Sequence, residues 1–127
     1  MTDRLLLLLA ALGLVPIALS YGLVTSASVT YLLGFLVEGT NQTHVFRAIM
    51  GLYLANATFW LVAAGKPALQ RPALWVLFLF MVGLAFGRVL SIILDGMPGP
   101  ILLFYLVAEL FFAALAFVSL RRNDEIT

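Results

Sequence analysis

Apolar residues run through this chain in four long blocks, Leu5 to Val24, Val45 to Ala64, Ala73 to Leu94 and Ile101 to Leu120, separated by shorter polar stretches. Each block holds about 20 residues. At a rise of about 1.5 Å per residue, each would cross the roughly 30 Å hydrocarbon layer of a bilayer as a helix. Strand-like alternation is absent and four strands could not close a barrel, so helices are the way to satisfy this backbone in lipid. The pattern predicts one all-α domain over residues 1–127, a polytopic membrane protein with four transmembrane helices in a bundle. Between the first and second blocks, Val29 to Val37 (VTYLLGFLV) is apolar but too short to span. It predicts an interfacial or re-entrant segment, resting at the lipid surface or lying as a lid over one end of the bundle.

Composition agrees with that reading. With 64% hydrophobic and 10% charged residues and a mean hydropathy of +1.13, the chain lies outside the range of soluble domains. The absence of cysteine excludes disulfide frameworks, thiolate metal sites and thiol nucleophiles. A formal net charge of +1 points to no nucleic-acid partner. The positions of the charges are more informative. Arg4, Lys66, Arg71, Arg121 and Arg122 all flank the blocks on one side, whereas the connections 25–44 and 95–100 hold no Lys or Arg. The positive-inside rule makes the basic side cytoplasmic and places both termini there. Trp60 and Trp75 fall near the inner ends of their blocks, where indole rings favour the headgroup level.

Two sequence features have blander readings that are preferred. Asp3-Arg4, a Leu-rich core and Ala18-Leu19-Ser20 imitate a targeting segment, but the block is read as a retained span interrupted by Pro16. Asn41-Gln42-Thr43 and Asn56-Ala57-Thr58 fit the glycosylation pattern, yet the second lies inside a span, and both are read as chance matches.

The candidate site consists of the polar residues inside the blocks. Counted from the outer ends, Arg47 lies roughly 6 Å deep, Arg88 roughly 10 Å and Glu109 roughly 12 Å. Residues three, four and seven apart share a helix side, which groups Arg88, Ser91 and Asp95 with Gly87 and Gly83. The same spacing groups His44 and Arg47 with Ala48, Gly51 and Ala55, and Tyr105 with Glu109, Ala113 and Ala116. These faces carry small residues, so Gly51, Gly83 and Gly87 are expected to pack against neighbouring helices. A lone charge in a membrane helix costs on the order of 2.5–3.5 kcal/mol on insertion scales, so a partner is expected for each. Depth favours Arg88 with Glu109 and Arg47 with Asp95, with His44 near the second pair and the Tyr105 hydroxyl donating to Glu109.

The network His44, Arg47, Tyr53, Arg88, Ser91, Asp95, Tyr105 and Glu109 reads first as a lock on helix register and second as an outward-facing pocket for a small anionic or lipid-like ligand. No metal or cofactor is expected, since no second His or any Cys is present. Small multidrug exporters also have four spans and one membrane carboxylate, but theirs lies in the first span, which is uncharged here. No phosphate loop, nucleophile elbow or His-rich cluster supports an enzyme.

The chain resembles a bacterial membrane family known as domain of unknown function 4345. The resemblance rests on His44-Val-Phe-Arg47-Ala48-Ile-Met-Gly51-Leu-Tyr53, on Leu69-Gln-Arg71-Pro72-Ala73-Leu74, and on Gly87-Arg88-Val-Leu-Ser91-Ile-Ile-Leu-Asp95-Gly96 with Glu109 beyond. It covers most of the chain from about Gly34 onward and implies a four-span bacterial inner-membrane protein, with no activity attached. The resulting expectation is a non-enzymatic accessory or scaffold subunit that meets the bilayer and other membrane proteins or itself. The alternative is a binder or carrier of a small anionic or lipid-like ligand.

Overall fold

The computed structural model describes residues 2–126, with side chains described through Arg122. The described residues form five helices and no strand: α1 Asp3–Gly22, α2 Thr25–Leu33, α3 Gly39–Ala64, α4 Pro67–Asp95 and α5 Pro100–Ile126. Helices α1, α3, α4 and α5 are long and apolar enough to cross a membrane.

Local chemistry sets where the helices begin. The Thr2 hydroxyl accepts the Leu5 N–H and caps α1. Pro16 lies inside α1 and the helix runs through it, although proline offers no N–H to the Leu12 carbonyl. Helix α3 begins at Gly39 rather than at Val45, because polar side chains satisfy its first turn. Gln42 Oε1 accepts the Glu38 N–H, and the Thr43 hydroxyl donates to the Gly39 carbonyl. Helix α4 begins at Pro67 rather than at Ala73. Proline suits a first helical position, and Pro72 then removes only one backbone bond, early in the helix. The resulting 29 residues span about 43 Å.

Side-chain bonds fix which ends lie together. Arg122 pairs with Asp3 at 2.9 Å, Gln70 donates to the Ala64 carbonyl and Arg71 to the Leu120 carbonyl. The start of α1, the end of α3, the start of α4 and the C-terminal part of α5 therefore share one end of the bundle. That end carries Arg4, Lys66, Arg71, Arg121 and Arg122.

Helix α1 is the centre of the fold. It touches all four other helices, whereas among the described residues α3 and α5 have no close backbone approach to each other. In its most apolar stretch 44% of residues are buried, against 17% in each of the other three spans. Small residues make this possible. Ala10, Ala11, Ala18 and Gly22 alternate with Leu6, Leu7, Leu14 and Tyr21 among the buried positions, so neighbouring backbones come close. A close approach is made at Gly22, where an added Cβ would collide with the Met50 side chain down to its own Cβ.

A run of ring contacts crosses the α1, α3 and α4 interfaces. Phe35 meets Phe46, Phe46 meets Tyr21, Tyr21 meets Tyr53, and Phe80 contacts both Tyr53 and Trp60, with centroids 5.3–6.0 Å apart. Trp60 closes this run fully buried, which corrects its expected place at the headgroup level. Trp75 is half exposed. The glycine expectation is corrected as well. Gly51, Gly83 and Gly87 are exposed, and a Cβ on any of them would meet nothing within 4 Å. Their faces look outward, because the close approach is made by α1 instead.

The segment between α1 and α3 is a helix with a tail. Helix α2 ends where Gly34 takes a φ of 80°, a left-handed cap that favours glycine. It touches α1, α3 and α5, with Val29 and Val37 buried. It therefore packs over the end of the bundle opposite the basic residues as a lid, rather than resting on the lipid alone. We expect Gly22→Val to destabilise the fold by roughly 1–3 kcal/mol through overpacking, and Gly13→Ala, with open space around its Cβ, to be neutral or stabilising. Thermal unfolding of the two variants in detergent measures the difference.

Candidate functional site

The connection 96–99 is short, so α4 and α5 are adjacent antiparallel helices. Arg88 projects from α4 and Glu109 from α5, and they meet between them. Arg88 Nε donates to both carboxylate oxygens, at 2.8 and 3.0 Å. Glu109 is buried and Arg88 largely so, and a charge-assisted bond at this length is among the stronger side-chain contacts.

Tyr105, one helical turn before Glu109, sits beneath the guanidinium, with its ring centroid 5.7 Å from the Arg88 central carbon. It serves Arg88 through its ring face, and its hydroxyl does not donate to Glu109 as expected. Tyr21 and Tyr53, in ring contact with each other, lie within electrostatic reach of the same pair. Only Nε of the guanidinium is engaged by the carboxylate. The Tyr21 hydroxyl is a further side-chain hydrogen-bond partner of Arg88, so the guanidinium keeps only part of its donor capacity free.

Arg88, Glu109, Tyr105 and Tyr53 border a cavity of about 210 Å³. Its walls come from all four long helices: Ala10, Gly13, Leu14 and Ile17 from α1, Tyr53 from α3, Met81 and Leu84 beside Arg88 from α4, and Phe104, Ala108 and Phe112 beside Tyr105 and Glu109 from α5. The lining is apolar except for the ion pair and the two phenols. Gly13 is exposed and Phe104 strongly so, which puts the mouth on the lipid-facing side between α1 and α5.

The rest of the expected network lies elsewhere. His44 and Arg47 are exposed and border a separate open groove with Ser26, Thr40 and Thr43, near the start of α3. Ser91 donates to Asp95 at 2.7 Å on an exposed face of α4. The expected Arg47–Asp95 pair does not form: Arg47 borders the groove beside Ser26 and Thr43, whereas Asp95 lies on an exposed face of α4. Among the described residues no three His, Cys, Asp or Glu side chains gather as metal ligands do. Sequence reasoning missed the whole contribution of α1, including Gly13 and Tyr21. The signal available was the i, i+3, i+7 spacing of Ala11, Leu14 and Ala18 beside Ala10, which marks one face as buried.

A family profile described as Domain of unknown function (DUF4345) matches residues 2–120, a range that contains every residue of the site. The chain belongs to this family. No curated protein and no solved structure matches it. Membership in DUF4345 thus adds identity to the fold without adding chemistry, and what this DUF4345 chain does must be read from the cavity and its ion pair.

Removing one partner of a buried pair leaves an uncompensated charge, at a cost on the order of 3 kcal/mol. Glu109→Ala is therefore expected to lower stability more than Glu109→Ala combined with Arg88→Ala. A double-mutant cycle by chemical or thermal unfolding in detergent measures the coupling, and additive losses would show that the two groups act independently.

Proposed function

We propose that this protein is a non-enzymatic binder of a small amphipathic, lipid-like molecule, held in the cavity among α1, α3, α4 and α5. One observation carries the reading. An apolar space of ligand dimensions ends on a guanidinium that bonds its carboxylate through Nε and retains N–H donors beyond those that Glu109 and Tyr21 take. An ion pair serving only as a helix lock would be packed over by side chains rather than border an apolar space with donors to spare, since a donor left unpaired in an apolar setting is costly. The lateral mouth supports entry from the bilayer, and α2 over the outer end closes the aqueous route.

The basic end bearing Arg4, Lys66, Arg71, Arg121 and Arg122 supports an orientation with both termini in the cytoplasm. A bacterial inner membrane is the corresponding location, with the cavity in the outer half of the bilayer.

Mass spectrometry of small molecules co-purifying from mild detergent tests the reading, with Gly13→Leu as the comparison. Gly13 lines the cavity and has room for a side chain, so the larger residue should fill the space while leaving the ion pair in place. The wild type is expected to carry an apolar small molecule that Gly13→Leu loses. An unchanged complement of small molecules in a folded Gly13→Leu would remove the proposal's support.

A second reading, an accessory or scaffold subunit, is favoured by the exposed glycine faces. Gly83 and Gly87 present a G-x-x-x-G face at which an added Cβ would meet nothing within 4 Å among the described residues, and such faces pair helices in membranes. Because the chain has no cysteine, Gly87→Cys supplies a single thiol. Oxidation in native membranes is expected to yield a disulfide-linked dimer if a second copy docks there. A solely monomeric product would argue against self-association through this face.

A further inference from the structure

Resting on the cavity reading, we infer that the ligand's head is a neutral ring bearing carbonyl oxygens on an apolar tail, the chemistry of a membrane quinone. Four properties of the site converge on it.

The first is size. A cavity of roughly 150 Å³ lined by aliphatic and aromatic side chains takes up benzene. At about 210 Å³, this one has room for a single ring with small substituents. The body of a phospholipid or a fused polycycle would not fit.

The second is charge. Arg88 and Glu109 neutralise each other at 2.8 Å, so the cavity offers an entering head no net positive charge. An anionic head would have to lose its hydration in an apolar space and compete with Glu109 for the guanidinium. A neutral head meets neither cost.

The third is hydrogen-bonding sense. A guanidinium has five N–H donors and no acceptor; Glu109 takes the one at Nε and Tyr21 is a further partner, which leaves donors over. Arg88, Glu109 and the phenols of Tyr53 and Tyr105 form the polar edge of the cavity; with the carboxylate engaged by Nε, the remaining guanidinium N–H groups and the phenol hydroxyls are the donors it offers. That edge complements carbonyl oxygens, which only accept.

The fourth is shape and access. Phe104, Tyr105 and Phe112 supply ring surfaces from α5, which favour an offset or edge-on partner ring. The mouth beside Gly13 and Phe104 faces lipid, so a tail continues into the bilayer while the ring is held. No electron or bond transfer is part of the inference.

A decyl-substituted benzoquinone titrated into the protein in nanodiscs of zwitterionic phospholipid tests it, read by quenching of tryptophan emission. Trp60 is connected to the cavity wall through Phe80 and Tyr53. Displacement of the bound quinone by decanoate and by decylbenzene ranks heads on one tail. Quenching should saturate, with both competitors about tenfold weaker or more. It should be lost in Gly13→Leu and weakened about tenfold in the paired Arg88→Leu, Glu109→Leu variant, which leaves no orphan charge.

Displacement by decanoate more tightly than the quinone binds would overturn the neutral-ring head and leave the cavity reading standing. Equal binding of decylbenzene would overturn any role for the donors. Quenching that never saturates and is the same in Gly13→Leu, with a small molecule still lost from that variant on purification, would overturn the quinone class alone. The same quenching result with no such loss would bring down the cavity reading as well.

Discussion

A charged side chain placed in hydrocarbon must bring its counter-charge with it, and in this chain the two halves come from helices joined by a short connection. The Arg88–Glu109 contact is short and buried, and it fixes the rotation of α4 against α5 more narrowly than apolar packing does. Apolar side chains slide past each other at small cost, whereas a guanidinium and a carboxylate that lose contact in lipid are each left without a partner. Once α4 and α5 are locked in this way, the faces they turn toward α1 are settled, and the space left between them becomes the cavity.

Helix α1 answers that constraint from the other side. It has no charge within its apolar block and little polarity, yet its row of small residues lets it contact every other helix. Where α1 approaches α3 closely, Gly22 and Met50 leave no room. Where it faces α5, Gly13 withdraws and space remains. Close packing on one side and a gap on the other are both produced by glycine, with the neighbouring helix deciding which outcome follows.

Much of the bundle was legible in the sequence. Four apolar blocks of spanning length identify the long helices, and the basic residues between them share one end in the fold. Arg88 and Glu109 could be paired because depth along adjacent helices is nearly a one-dimensional quantity. What stayed hidden depends on rotation and lateral placement. Gly51, Gly83 and Gly87 have the spacing of a packing face, but the same spacing serves a face open to lipid or to another molecule. Arg47 and Asp95 agree in depth and still do not meet, because depth does not fix the side of the helix: Arg47 turns to the groove beside Ser26 and Asp95 to an exposed face of α4. Trp60 had the address of an interfacial anchor, but its side of α3 is covered by α4. The centrality of α1 was hardest to see, since alanine and leucine look alike in a buried helix and a lipid-facing one.

The proline within α1 gives this central helix an uneven stiffness. Because Pro16 supplies no N–H, the Leu12 carbonyl lacks its partner one turn earlier, and the turn between them is held by one backbone bond fewer than its neighbours. Gly13 lies in that turn, at the mouth of the cavity. The helix most tightly gripped along its length is thus softest where it borders the opening. A small hinge motion there would widen the gap toward α5 while leaving the packed ends of α1, at Leu6 and at Gly22, undisturbed.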